Sequence, residues 1–204
     1  MSLRRLPGPG HERDIDFDDV LAAARACTVC EGPPLGPLPL VRAGASARVL
    51  IISQAPATKA HEGGLSFNDP SGDGLLEWLR MDRDIFYDED RVAILPMGFC
   101  YPGRLPRGGD APLRRECAPL WHGAIREALT DVRLTLYVGS YAIKEYLLGY
   151  PTMTVAVADW RSHDANSLPL PHPSWRIMAW GKKNSWFMWE LVPELLKRVR
   201  AALA

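Results

Sequence analysis

The chain has 204 residues, 24 Lys plus Arg against 24 Asp plus Glu, and 47 % hydrophobic residues. Its composition is that of an ordinary soluble globular protein, and its length is that of one domain. Zero net charge excludes a global basic field of the kind that announces nucleic acid, and no apolar run is long enough to span a membrane.

Residues 1–15, rich in Pro, Gly and Arg, are expected to be a flexible N-terminus ahead of a single domain over 16–204. Residues 16–28 read as a helix with aspartates in its first turn, which suits the positive end of the helix dipole. Four prolines and three glycines make 31–45 a loop rather than a linker. Three continuous apolar runs, 47–53, 91–99 and 134–140, have the character of buried parallel strands. A fourth short strand begins at 167, and Pro169 and Pro171 place it at an edge or end it early. Helical patterns over 72–81, 112–132 and 141–148 follow the first three strands. A C-terminal helix is expected over 184–203, with Phe187, Leu191, Leu195 and Val199 at i+4 spacing. Pro193 either kinks it or marks its true first turn. Alternating strands and helices imply a parallel sheet covered on both faces.

Four cysteines stand out. Cys27 and Cys30 form a Cys-x-x-Cys pair, and Cys100 and Cys117 complete the set. The N-terminus has no secretory pattern, so a reducing, cytoplasmic compartment is expected, where a disulfide framework is out of place. Four thiolates can hold a [4Fe–4S] cluster or a tetrahedral zinc, and spacing alone does not choose between them.

In an open α/β sheet the ligand sits at the carboxyl ends of the strands. The segments at 53–57, 98–103 and 171–176 leave those ends and are expected to meet in one crevice. Gln54 offers an amide donor and acceptor but cannot act as a base. His172, stiffened by flanking prolines, can donate to a developing oxyanion. Phe67 lies in a glycine-rich loop, as a stacking platform for a planar ring or as a loop anchor in the core. His61 reads as a solvated loop histidine, and His122 and His163 attract no role. The tryptophans at 175, 180, 186 and 189 read as packing for the C-terminal helix, except Trp175, which follows the His-Pro-Ser directly. Local basic groups lie at Arg104, Arg107, Arg114 and Arg115, at Arg176, Lys182 and Lys183, and at Lys197, Arg198 and Arg200.

Taken together, these motifs resemble the uracil-DNA glycosylase superfamily, specifically its iron–sulfur, family 4-like branch. The Cys-x-x-Cys precedes the first strand, and Ser53-Gln54-Ala55-Pro56-Ala57 ends it. Gly64-Leu65-Ser66-Phe67 follows, then Cys100-Tyr101-Pro102, Cys117 on the next helix, and a terminal His172-Pro173-Ser174. The resemblance implies a three-layer α/β/α sandwich with a four-stranded parallel sheet. It implies a structural [4Fe–4S] cluster on Cys27, Cys30, Cys100 and Cys117, with zinc as the alternative.

It also implies hydrolysis of the N-glycosidic bond of a damaged base flipped out of DNA. In that scheme Gln54 and His172 are catalytic. Ser53, Ala55, Phe67, Asn68 and Ser174 bind the substrate. Trp175, Arg176, Lys182 and Lys183 hold the DNA. The expected molecule is a monomer in the cytoplasm, associated with the nucleoid and not with a membrane. Two positions depart from the branch: Gln54 stands where a glutamate is usual, and Pro96 where an asparagine reads the edge of uracil. The resemblance therefore implies weak or altered specificity, or a catalytically inactive protein that binds lesion-containing DNA.

Overall fold

The computed structural model describes residues 16–30 and 32–204; the expected flexible segment 1–15 lies outside the described residues. Helix α1 (Phe17–Arg25) starts at Asp16, whose side chain accepts from the Asp18 N–H. Strand β1 (Val49–Ser53) is followed by α2 (Thr58–Glu62), α3 (Pro70–Leu79), α4 (Arg83–Phe86) and β2 (Val92–Pro96). A π-helical turn (Ala118–His122) runs into α5 (Gly123–Ala128), then β3 (Leu134–Val138), α6 (Ser140–Tyr146) and α7 (Met153–Ala158). A 3-10 turn (Trp160–Ser162), β4 (Ser167–Leu170), α8 (Ile177–Lys183), a second π-helical turn (Phe187–Leu191) and α9 (Val192–Leu203) complete the chain.

The four strands form one sheet in the order β2-β1-β3-β4, and every pairing is parallel. All five residues of β1 and of β2 are buried, because the sheet is covered on both faces and neither side of a strand meets water. Helices α3 and α9 pack on each other, and α9 lies over β1 and β3. The first π turn, α5 and α6 belong together: His122 on the turn is hydrogen-bonded to Tyr146 on α6. This is the expected three-layer α/β/α sandwich. Strand β4 is an edge strand, as Pro169 and Pro171 predict.

Two helices differ from expectation. Residues 112–116 are not helical; the helix begins at Cys117, and Pro119 in the π turn has no N–H with which to extend it upstream. The C-terminal pattern is divided into the π turn and α9, with Pro193 in the first turn of α9, where a missing N–H costs nothing. Phe187, Leu191, Leu195 and Val199 are all buried, so the i+4 stripe survives the division. His61 is no solvated loop residue: it lies on α2, is 9 % exposed, and packs near Tyr101. Trp189 is 81 % exposed, whereas Trp180 and Trp186 meet edge to face beside Phe187.

Before α3 the chain makes a tight loop. Phe67 takes a left-handed backbone conformation (φ 61°), which is unusual for an aromatic residue. The conformation is held from several sides. The Ser66 hydroxyl donates to the Leu40 carbonyl, and the Tyr87 hydroxyl donates to the Ser66 carbonyl. Asp69 then caps α3, its carboxylate accepting from the Ser71 and Gly72 N–H groups at 2.8 and 3.0 Å. A Cβ on Gly72 would stand 1.7 Å from the Phe67 carbonyl oxygen. Gly72→Ala is therefore expected to displace the Phe67 loop and cost about 1–3 kcal/mol, as overpacking does. Urea unfolding checks this: an unchanged midpoint would mean the loop yields without cost.

Candidate active site

The parallel register lines up the strand ends. Ser53 at the end of β1 is paired with Pro96 at the end of β2, and the pairing runs on through the Met97 and Gly98 N–H groups, which donate to the Ser53 and Gln54 carbonyls. On the other side, Val138 of β3 pairs with Leu170 of β4, and the Gly139 N–H donates to the Leu170 carbonyl at 2.9 Å. Pro96, Gln54, Gly139 and His172 thus follow one another across the carboxyl edge of the sheet.

Gly139 is the piece sequence reading passed over. Its φ is 90°, and an added Cβ would lie 3.2 Å from the His172 Cβ and 3.3 Å from the Gln54 Cγ. Only glycine combines that backbone conformation with room for two side chains from neighbouring strands. Its signal was a glycine directly after a buried strand, which periodicity does not weigh.

A cavity of about 380 Å³ opens over this edge. Of the sequence candidates, Ser53, Gln54, Ala55, Phe67, His172, Ser174, Trp175 and Arg176 line it, as does Pro96. Phe67 is 7 % exposed and meets Phe86 edge to face, so one ring serves both as core anchor and as cavity wall. Asn68 does not line the cavity; its amide lies against Gly63, and its neighbour Asp69 faces the cavity instead. Trp175 protrudes, 80 % exposed, with the Arg176 guanidinium 5.2 Å from its ring centroid. Lys182 and Lys183 are exposed in the last turn of α8, outside the cavity. In the third basic group, Lys197 and Arg198 pair with Glu194, and Arg198 also ties down the carbonyls of Asp164, Ala165 and Ser167. Those two cations have internal partners.

Two histidines owe their state to burial. His172 makes no side-chain hydrogen bond among the described residues. Desolvation lowers its pKa from 6.5 to about 4, and the nearby Asp69 carboxylate opposes the shift without reversing it. The ring is neutral at pH 7 and has an N–H free to donate. His122, read from the sequence as having no role, is 2 % exposed behind the site. Its Nε2 lies 2.9 Å from the Pro96 carbonyl and its Nδ1 2.6 Å from the Tyr146 hydroxyl. A carbonyl can only accept, so Nε2 carries the proton and Nδ1 accepts from Tyr146. Burial brings the pKa of His122 down to about 4, against the Pro96 hydrogen bond, with Arg126 adding to the fall.

Both rings bind protons more weakly in the fold than in the unfolded chain. Between about pH 6.5 and 4 the unfolded state therefore holds more protons, and stability falls as pH is lowered through that window. Titration followed by imidazole NMR signals should find both rings neutral at pH 5.5; a midpoint near 6.5 for His172 would contradict its desolvation.

The four thiols lie within electrostatic reach of one another, and none lines the cavity. Cys27 and Cys30 follow α1, Cys100 follows β2, and Cys117 opens the first π turn. The Phe99 N–H donates to the Cys117 sulfur at 3.3 Å. Burial pushes the Cys117 thiol up to about 12, and charge on the other three cysteines would push it further. Among the described residues no group of three or more His, Cys, Asp or Glu is arranged to hold a metal ion. The chemistry of the donor set still fits a thiophilic metal or cluster: four sulfurs in mutual electrostatic reach, with an N–H donor on Cys117. A bound cation would reverse the burial penalty on their ionised forms.

No helix among the described residues is long and apolar enough to cross a membrane. A family model described as the uracil DNA glycosylase superfamily matches residues 42–196. The match takes in all four strands, the Phe67 loop, the His172 loop and the cavity they surround. The chain belongs to the uracil DNA glycosylase superfamily.

Proposed function

We propose that this protein is a DNA glycosylase that hydrolyses the N-glycosidic bond of uracil or another deaminated base, with weak or altered specificity, and that it belongs to the iron–sulfur, family 4-like branch. The observation that carries the reading is that Gln54, Phe67 and His172 surround one cavity at the carboxyl edge of the sheet in a member of this superfamily. A target nucleotide flipped out of DNA enters that cavity. Phe67 stacks on the base. As the C–N bond breaks, its electron pair leaves with the base, and neutral His172 donates a hydrogen bond to the negative charge growing on the base oxygen. Gln54 faces the sugar and orients the attacking water without taking its proton. Ser53, Ala55 and Ser174 shape the walls.

Trp175 fills the gap left in the base stack, and Arg176, Lys182 and Lys183 hold phosphates, a contact that weakens with salt. Cys27, Cys30, Cys100 and Cys117 hold a [4Fe–4S] cluster, or zinc, whose work is structural: it ties α1, the end of β2 and the first π turn together. The working unit is one domain over 16–204, a monomer in the cytoplasm at the nucleoid.

One observation favours a second reading, a catalytically inactive protein that binds lesion-containing DNA. Gln54 and Pro96 both line the cavity, so neither a carboxylate at the first position nor a side-chain hydrogen bond at the second reaches the base. A missing bidentate contact removes roughly 1–3 kcal/mol of base discrimination.

Single-turnover excision by metal-loaded protein separates the two. The panel holds uracil, hypoxanthine, xanthine and mismatched thymine, in single- and double-stranded DNA. The glycosylase reading expects base release that drops about 10²–10³-fold in His172→Ala, the cost of one lost oxyanion donor. No release from any base, with tighter binding to lesion DNA than to normal DNA, establishes the binding protein instead. Gln54→Glu is expected to raise uracil excision; an unchanged rate moves the limitation to Pro96. Iron and sulfide analysis, against zinc, identifies what the thiols hold.

A further inference from the structure

Water attacking the sugar must lose a proton, and Gln54 cannot take it. Two carboxylates line the same cavity, Asp69 and Asp110. Asp69 is engaged: one oxygen accepts from two backbone N–H groups as the cap of α3, and its charge sits beside His172. That oxygen is already committed to the two N–H groups of the cap. The Asp110 side chain has no hydrogen bond or ion pair among the described residues.

Asp110 reaches the cavity on a small hairpin-like loop. Arg104 and Asp110 form an antiparallel bridge, the Leu105 N–H donates to the Gly109 carbonyl at 2.9 Å, and the Ala111 N–H donates to the Gly103 carbonyl at 2.8 Å. At the loop's base, Gly103 (φ 101°) lies so close to Pro34 that a Cβ would be 2.9 Å from the proline Cγ. Gly108 and Gly109, both at positive φ, close the turn. The loop is exposed, yet its backbone is tied at both ends, so Gly109 and Asp110 form a wall of the cavity facing the strand ends. A free carboxylate at the mouth of a DNA site repels phosphate, a cost to binding that asks for a return elsewhere.

We propose that Asp110, from the loop after β2, supplies the carboxylate that the Gln54 position lacks and acts as the general base toward the attacking water. This rests on the glycosylase reading. The C–N bond breaks and its electron pair leaves with the base. The water oxygen bonds to the anomeric carbon, and the water proton passes to the Asp110 carboxylate. Asp110 then releases that proton to solvent, and the departed base anion takes one from solvent. Before the proton moves, the negative charge of Asp110 also favours the positive charge growing on the sugar.

The test uses metal-loaded full-length protein and the excised base identified above. Asp110→Asn is expected to slow single-turnover excision about 10²-fold, within the range for a general base. Its affinity for lesion DNA should be unchanged or tighter, because a negative charge has gone. Asp110→Ala is expected to be as slow and to recover rate when formate is added, since a small carboxylate can occupy the space left; His172→Ala is expected to gain nothing from formate. Wild-type rates in Asp110→Asn, or a slow Asp110→Ala that formate does not rescue, overturn the proposal while leaving the glycosylase reading intact. A wild-type protein that excises no base overturns both.

Discussion

The site depends on one constraint, the parallel register that brings the ends of β2, β1, β3 and β4 level along one edge of the sheet. Parallel strands all point their carboxyl ends the same way, so the loops that follow them crowd together. Gln54 and His172 leave β1 and β4, which are not neighbours; β3 lies between them. They can face one cavity only because the residue following β3 is Gly139, whose absent side chain leaves the space in which both pack. Any side chain there would stand between the two groups.

Burial sets the chemistry of that edge. The sheet is dry on both faces, and a dry environment penalises charge. His172 is neutral for this reason, with its N–H unclaimed. Behind it His122 is neutral for the same reason, but fully bonded: Tyr146 donates to it and it donates to the Pro96 carbonyl. The two rings illustrate the difference between a structural and a reactive histidine in one protein. One has both nitrogens satisfied; the other has none among the described residues. The strained backbone at Phe67 belongs to the same economy. Its left-handed turn lies between the anchored Ser66 and the Asp69 cap, and it holds an aromatic ring against the cavity.

The sheet was legible because continuous apolar runs have few other uses than buried parallel strands, and because Pro169 and Pro171 cannot serve a central strand. The helix over 112–132 misled because its apolar spacing continues through the π turn, while Pro119 stops the backbone from following it upstream. His61 looked solvated because five residues of α2 are too few to show a periodicity, and only the packing near Tyr101 buries it. Trp189 failed in the opposite sense: a tryptophan beside a buried stripe can lie on the outer side of the same helical turn.

The sequence by itself determined the fold class, the strand ends from which a site must be built, and the chemical types at hand: an amide at Gln54, an imidazole at His172, an aromatic ring at Phe67 and four thiols. These are local properties of runs, turns and side chains. Tertiary structure alone decided which groups meet. It turned Asn68 away from the cavity and Asp69 toward it, tied His122 to the Pro96 carbonyl, and brought Asp110 from an exposed loop to the cavity wall. Such meetings depend on loop paths and sheet register between residues far apart in the chain, and no periodicity within a short window records them.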